Sequence, residues 1–287
     1  MAFKRYINPK LLTELQTEKL YKNKLYSDCK SQKVFLAIRN ENIDFYYKGG
    51  RLFEFDKQRF HTHLKYASVI PKKGKDYLTE EELSKPDAKY KLTSDFINSY
   101  PRIKENCANY SGVEARGVSY LYHKHSYLEK CNNVVVLDIE ISFESLNINK
   151  KKKQDRIDIL LLNKKSQELQ FVEAKHYSNK EIWSTKTPKV MSQIERYEEQ
   201  IKNRKTEIIS EYTEYIKVLN HLFNISLPIP KIIAEKVPLL IFGFDRDQQN
   251  GRLKDLITLN KKYSKIKFYT KGNIKKVEMQ NLWNAIK

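Results

Sequence analysis

The sequence predicts an α/β protein whose main domain is a mixed β-sheet flanked by helices. Short apolar segments predict the strands, and the first three of them are joined by loops short enough for neighbouring strands to pair. The predicted strands occupy residues 134–143, 156–162, 169–175, 238–244 and 265–270. A long helical segment separates the third strand from the fourth, and a shorter one separates the fourth from the fifth. Strands and helices in this order are typical of a sheet that carries helices on its faces.

Two helices are predicted before the first of these strands, in residues 94–110 and 111–130, with Ser111 and Gly112 at their junction. The long helix after the third strand is predicted to have Thr187 as its N-cap and Pro188 at its first helical position.

A smaller α+β domain is predicted at the N-terminus, in residues 1–95, and the main domain then covers residues 96–287. Leucines recur near helical spacing over roughly the first 30 residues. Short aromatic and β-branched segments follow, separated by Asn and Gly residues in the pattern of a hairpin or meander. These predicted strands are residues 33–40, 43–49 and 51–56, with residues 59–70 as a fourth candidate.

The composition excludes several classes of protein. Hydrophobic residues make up 40% of the 287 residues, which excludes a wholly disordered chain. The three cysteines, Cys29, Cys107 and Cys131, are widely spaced, so neither a disulfide framework nor a zinc knuckle is expected. The first 20 residues lack the apolar segment of a signal peptide, and no apolar stretch is long enough to cross a bilayer. We therefore expect a cytoplasmic protein without a membrane partner.

The chain is strongly basic, with 54 Lys and Arg against 35 Asp and Glu and a formal net charge of +19. One interpretation is attraction to a polyanion such as nucleic acid, because Lys and Arg that neutralise phosphates release condensed counterions. The other is a solvated Lys-rich surface with no such partner. Composition alone fits both.

Three charged residues fall in two neighbouring apolar strands. Asp158 lies within segment 156–162, and Glu173 and Lys175 end segment 169–175. Side chains two residues apart on a strand share a face, and Asp158 joins them if the two strands pair. Buried charges are costly unless they are paired or bind a metal. The cluster is therefore either a metal-dependent site or a structural ion pair or triad.

Metal-assisted hydrolysis of a phosphodiester accounts for this combination of charges. Carboxylates such as Asp158 and Glu173 hold Mg²⁺ through hard oxygen ligands, and Mn²⁺ can substitute for it. The carbonyl group of Ala174 offers a further oxygen. The ion lowers the pKa of an attacking water and polarises the phosphate. The ammonium group of Lys175 would orient or deprotonate that water and oppose negative charge on phosphorus.

The spacing of Asp158 and Glu173-Ala174-Lys175 resembles the D…E-x-K core of the PD-(D/E)XK nuclease superfamily. The predicted order of elements is similar to the restriction-endonuclease-like αβββαβ core of that superfamily. Gln193 and Tyr197 share one face of the next helix and are similar to the Q-x-x-x-Y signature of the RecB-like branch. The resemblance covers residues 95 to about 270.

The resemblance implies a Mg²⁺-dependent nuclease, and DNA is expected as its substrate in preference to RNA. Phage defence, restriction or repair are the expected settings. Asp158 and Glu173 would bind the metal, and Lys175 would position the water. Gln193 and Tyr197 would contact the substrate or support the site. The resemblance does not extend to the N-terminal domain, which we expect to select the substrate or a partner.

The first acidic residue of the superfamily pattern has two candidates. Glu114 lies on the helix before the sheet, where some members of the superfamily supply a glutamate, although Ser111 and Glu114 also fit a capping box. Glu140 lies on the first strand with Asp138 on the same side, and it is either a metal ligand or a surface residue. We favour Glu114 as catalytic support and retain Glu140 as a possible ligand.

A run of lysines connects the first two strands of the main domain. Lys150, Lys151, Lys152 and Lys153 are predicted to grip phosphates near the active face, and the alternative is a solvated loop. Cleavage of both strands of a duplex often needs two active sites, so a homodimer or a partner in a defence or repair complex is expected by analogy. The alternative function is a catalytically silent, basic nucleic-acid-binding or partner-dependent component on a nuclease-like scaffold.

Overall fold

The computed structural model describes residues 3–68, 92–143, 156–183 and 188–287. Its internal contacts define two units, one of residues 7–116 and one of residues 1–6 together with 117–287. The sequence predicted a boundary near residue 95, whereas these units divide after Arg116. The difference arises because the helix Tyr100–Tyr110 packs against the strands of the unit 7–116.

An antiparallel sheet organises the unit of residues 7–116. Its strands are β1 (Phe35–Ile38), β2 (Asn42–Tyr47), β3 (Gly50–Asp56) and β4 (Arg59–His61), in that order across the sheet. Its helices are α1 (Pro9–Thr17), α2 (Tyr26–Lys30), α3 (Leu64–Ala67) and α4 (Tyr100–Tyr110), and a π-helical turn, Tyr21–Leu25, precedes α2. The predicted hairpins are confirmed. The fourth candidate strand is only partly correct, because the chain turns into α3 three residues after β4 ends.

A mixed sheet organises the unit that contains residues 117–287, as the sequence predicted. Its strands are β5 (Val134–Ser142), β6 (Arg156–Asn163), β7 (Glu168–His176), β8 (Ile232–Ile233), β9 (Leu239–Phe242) and β10 (Phe268–Lys271). The order is β10-β9-β7-β6-β5, with β8 beside β7. The pairs β5–β6 and β6–β7 are antiparallel, whereas β7–β9, β7–β8 and β9–β10 are parallel. Strands β6, β7 and β9 are almost wholly buried. Most residues of β6 and all of β9 are apolar, whereas β7 also carries polar and charged residues into the interior.

Helices connect and flank these strands. They are α5 (Val113–Lys124), which spans the division between the units, α6 (Lys189–Asn203), α7 (Lys205–Phe223), α8 (Arg246–Gln248), α9 (Lys254–Leu259) and α10 (Met279–Ile286). The buried residues of α6 follow the helical period. Pro188 is the N-cap of α6 rather than its first helical residue, because its ψ of 132° keeps it extended. Thr187 lies outside the described residues.

Residues near the N-terminus are bound to the mixed-sheet unit through a buried ion pair. Arg5 Nε donates to Asp138 Oδ2 over 3.0 Å, and the Tyr212 hydroxyl donates to the same oxygen over 2.9 Å. Asp138 is completely buried. The backbone N–H groups of Phe3 and Arg5 also donate to glutamates of α7. The carboxylate of Asp138 therefore has a structural role.

No helix in the described parts of the chain is both long and apolar enough to cross a membrane.

Candidate functional site

The predicted cluster lies where strands β6 and β7 separate. The last paired residues of the ladder are Ile159 and Val172, so Asp158 and Glu173 each lie one position beyond it. The side chain of Asp158 takes the place of a ladder partner, because the Ala174 N–H donates to Asp158 Oδ2 over 2.8 Å. The sequence prediction that Asp158 approaches the Glu173-Ala174-Lys175 segment agrees with this geometry.

Lys175 is held between two carboxylates. Its Nζ atom lies 2.8 Å from Glu173 Oε1 and 3.4 Å from Glu181 Oε2. Glu173 is fully buried and Lys175 is 6% exposed, whereas Asp158 and Glu181 reach the surface in part. The site therefore has a buried floor formed by Glu173 and Lys175, and it opens to solvent at Asp158 and Glu181.

Burial and charge act together on the Asp158 carboxyl group. Burial raises its pKa well above the ordinary value, and the negative charge of Glu173 raises the pKa further. Lys175 opposes this shift, Glu140 adds to it, and the hydrogen bond from Ala174 lowers the pKa slightly. A proton or a nearby cation would relieve the repulsion between Glu173 and Asp158 that contributes to this shift.

Glu140 lies on β5 across from Asp158. The pairs Ile139–Ile159 and Ile141–Ile157 flank these two acids in the β5–β6 ladder. The backbone of Glu140 is left-handed, with φ of 51°, a conformation that costs a residue with a Cβ atom about 1–2 kcal/mol. Its Oε2 atom accepts a hydrogen bond from Arg156 Nη1 over 3.4 Å. Of the two candidates for the first acid, Glu140 is thus placed beside Asp158.

Glu114 lies in the first turn of α5, in the unit of residues 7–116. The Ser111 hydroxyl, the other half of the predicted capping box, donates to the carbonyl oxygen of Cys107 over 2.9 Å. The catalytic role of Glu114 stays a prediction.

Helix α6 supports the site through Tyr197. The Tyr197 hydroxyl donates to the backbone carbonyl of Arg156 over 2.8 Å, and Tyr197 is only 2% exposed. This bond fixes the first residue of β6, two positions before Asp158. Gln193 lies one turn earlier on α6, and its side-chain oxygen is buried without a hydrogen-bond partner in the described structure. Tyr197 therefore suits the supporting role, and the Gln193 amide remains available to a ligand.

The predicted phosphate-gripping lysines, Lys150, Lys151, Lys152 and Lys153, lie outside the described residues.

Sequence reasoning missed Glu181. It lies in the one-turn helix Lys180–Ile182, after the strand that carries Lys175. Its Oε1 atom is 3.5 Å from the ammonium group of Lys189, which is largely exposed. A single acid in a polar loop has no periodic pattern, so only the close approach to Lys175 in three dimensions identifies it.

The end of β7 is held against β9 by a close packing contact. Gly243 has φ of 82°, and a Cβ atom there would lie 2.1 Å from Nε2 of His176. The Tyr177 N–H also donates to the Phe242 carbonyl over 2.7 Å. Glycine at position 243 lets the backbone turn beside His176, the residue that follows Lys175.

The donor set fits Mg²⁺ better than it fits a metal that needs a complete protein cage. Within the described ranges, no three His, Cys, Asp or Glu side chains form a group that could hold a metal alone. Mg²⁺ is usually bound through one or two carboxylates together with waters and substrate phosphates. Asp158 and Glu173 supply such carboxylates, and a divalent cation would relieve the repulsion that raises the pKa of Asp158. Both residues can therefore act as ligands.

Comparison of the chain with protein-family models, with curated proteins and with solved structures finds no match in any of the three. The resemblance to the PD-(D/E)XK superfamily accordingly stays a prediction, based on the motif residues and on the order of the elements.

Proposed function

We propose that the protein is a Mg²⁺-dependent nuclease that hydrolyses the phosphodiester bonds of DNA. The observation that carries the proposal is the convergence of Asp158, Glu173 and Lys175 where β6 and β7 separate. Two acids and one base at a partly open edge are the groups that phosphodiester hydrolysis requires. A purely structural ion pair would not need Asp158, whose raised pKa disfavours its charged form.

The order of elements in the mixed-sheet unit supports the same proposal. Helix α5 is followed by the antiparallel strands β5, β6 and β7, then by helices α6 and α7 and by β9, which is parallel to β7. This order is compatible with the αβββαβ order expected of a restriction-endonuclease-like core. Asp158, Glu173 and Lys175 are the residues that resemble the D…E-x-K pattern, and their proximity supports the proposal.

In this mechanism, Asp158 and Glu173 would hold the cation, and Glu140 would add negative charge beside Asp158. When bound, such an ion would supply a more acidic water and would neutralise charge on the scissile phosphate. Lys175 orients the attacking water with its ammonium group and stabilises negative charge that develops on phosphorus. Tyr197 holds β6 in place, and the buried Oε1 atom of Gln193 would accept a hydrogen bond from the substrate or from its waters.

The charge of the chain favours a polyanionic substrate. A net charge of +19 would attract phosphate groups through contacts that carry no sequence preference. Binding should therefore weaken steeply as the salt concentration rises.

Incubation with circular single-stranded, supercoiled and linear DNA and with RNA tests the proposal. Each substrate is incubated with Mg²⁺, with Mn²⁺ and with EDTA. We expect cleavage of DNA that needs the cation and is lost in Asp158→Asn and Lys175→Gln. Cleaved circles would identify an endonuclease. Equal cleavage by both variants and by the parent protein would refute the assignment of the site.

The second candidate is a catalytically silent nucleic-acid-binding scaffold. The Glu173–Lys175 ion pair favours it, because a structural ion pair also has a contact of 2.8 Å between buried partners. Calorimetric titration with Mg²⁺ separates the two candidates. A silent scaffold would bind DNA but would show no cation binding that depends on Asp158 and Glu173.

A further inference from the structure

We propose that Glu181 is a positioning residue that takes over the ammonium group of Lys175 when Glu173 binds a divalent cation. The inference rests on the proposed function, because it assumes that Glu173 is a metal ligand. It adds a counter-ion exchange that would make the buried site accessible to the metal.

The geometry of Lys175 already contains both partners of the exchange. Its ammonium group is 2.8 Å from Glu173 Oε1 and 3.4 Å from Glu181 Oε2. A shift of less than an ångström would therefore reverse which carboxylate is nearer. The Lys175 ammonium group can therefore change partner without passing through solvent and without any movement of the β7 backbone.

The exchange would offset the free-energy cost of separating Lys175 from Glu173. A cation that binds Glu173 competes with the Lys175 ammonium group for the same oxygen. Lys175 is 6% exposed, so an ammonium group left there without a counter-ion would be strongly destabilising. Glu181 removes this penalty because it offers a second carboxylate within reach.

The backbone around Glu181 is fixed from several directions. The Asn179 side chain accepts a hydrogen bond from the Glu181 N–H over 2.9 Å. The Tyr263 hydroxyl donates to the Ile182 carbonyl over 2.8 Å, and Trp183 Nε1 donates to the Tyr177 carbonyl over 2.7 Å. These hydrogen bonds fix the backbone of the one-turn helix, so the Glu181 carboxylate can stay in place while the Lys175 ammonium group moves.

Lys189 modulates the negative charge of Glu181. Its ammonium group lies 3.5 Å from Glu181 Oε1, the oxygen that does not face Lys175, and its side chain is 78% exposed. Solvent screens an exposed ion pair of this kind, so Glu181 keeps most of its charge for Lys175.

A double-mutant cycle on metal affinity tests the exchange. Mn²⁺ binding is followed by electron paramagnetic resonance in the parent protein, in Glu181→Gln, in Lys175→Gln and in the double variant. We expect Glu181→Gln to weaken Mn²⁺ binding roughly tenfold when Lys175 is present, a coupling typical of charges in one network. In the Lys175→Gln background the same change should have no effect, because no ammonium group is left to be exchanged.

Two control variants test whether the effect on Mn²⁺ binding is specific to the charge at position 181. Glu181→Asp retains the charge and should restore part of the affinity. Glu214→Gln removes an exposed glutamate that pairs with Lys217 on α7 and should leave Mn²⁺ binding unchanged. Circular dichroism checks that each variant folds.

The outcomes separate the inference from the proposed function. Equal weakening of Mn²⁺ binding by Glu181→Gln with and without Lys175 would show that Glu181 is only a general negative charge, and this would overturn the exchange. An absence of weakening in both backgrounds would overturn it as well. If the parent protein bound no Mn²⁺, or bound it equally after Asp158→Asn, the proposed function itself would fail.

Should Glu181→Gln not fold, Lys189→Gln provides the second test. Removing the competing cation from Glu181 should tighten Mn²⁺ binding about twofold, as expected for a screened surface pair. The gain should disappear in the Lys175→Gln background, and a gain of equal size there would refute the exchange.

Discussion

Replacement of Tyr197 by Phe should separate support of the site from stability of the fold. The change removes one part-buried hydrogen bond of 2.8 Å to the Arg156 carbonyl. Such a loss costs about 1 kcal/mol of unfolding free energy. In a unit of this size, it should lower the melting temperature by about 2–4 °C. Because Arg156 begins the strand that carries Asp158, cleavage of DNA should fall about ten- to a hundredfold, as for a catalytic group displaced by a fraction of an ångström.

Tyr215→Phe is the matched control for this prediction. The Tyr215 hydroxyl donates to the carbonyl oxygen of Leu137 over 3.1 Å, and Tyr215 is also fully buried, but Leu137 lies on β5 away from the cluster. Both variants should lose similar stability in thermal unfolding, while only Tyr197→Phe should lose cleavage at a temperature where both are folded. Equal cleavage by the two variants would refute a positioning role for Tyr197.

Three further changes test other features of the unit. Asp158→Asn should abolish cleavage, yet stabilise the metal-free protein at neutral pH. Because the pKa of Asp158 is raised in the folded protein, protonation of Asp158 stabilises the fold fully below the ordinary pKa of an aspartate. This stabilisation is lost as the pH rises through the folded-state pKa. Over that pH interval the melting temperature of the parent should fall, whereas that of the variant should not. Gly243→Ala should cost more than about 1 kcal/mol in urea unfolding, because the φ of Gly243 is positive and its added Cβ atom would meet His176. Glu140→Gly should relieve a left-handed backbone and raise stability by about 0.5–1 kcal/mol while slowing cleavage, and a loss of stability would contradict the strain at this position.

Much of the fold was predictable because most strands of the mixed sheet are short, mainly apolar segments. Segments 134–143, 156–162 and 169–175 match β5, β6 and β7 to within one residue at each end. The division of the chain was harder to predict. Helix α4 has the pattern of any amphipathic helix, and nothing in its sequence shows which sheet its apolar side covers.

The candidate site was predictable where it follows the strand period. Glu173 and Lys175 share a face, and Asp158 stands out as an acid in an apolar strand. The ion pair between Lys175 and Glu181 was not predictable, because loop residues have no fixed direction in sequence. The left-handed backbone of Glu140 was not predictable either, because glutamate has no preference for positive φ.

The buried pair of Arg5 and Asp138 has a practical consequence for dissecting the protein. A fragment limited to residues 117–287 would keep Asp138 at the centre of its sheet but would lose the guanidinium group that neutralises it. An uncompensated charge at a fully buried position destabilises a fold by about 3–5 kcal/mol, a large share of the stability of an ordinary domain. Truncation studies should therefore supply the first six residues as a linked or added peptide, and a tag fused directly before them should be spaced away from this anchor.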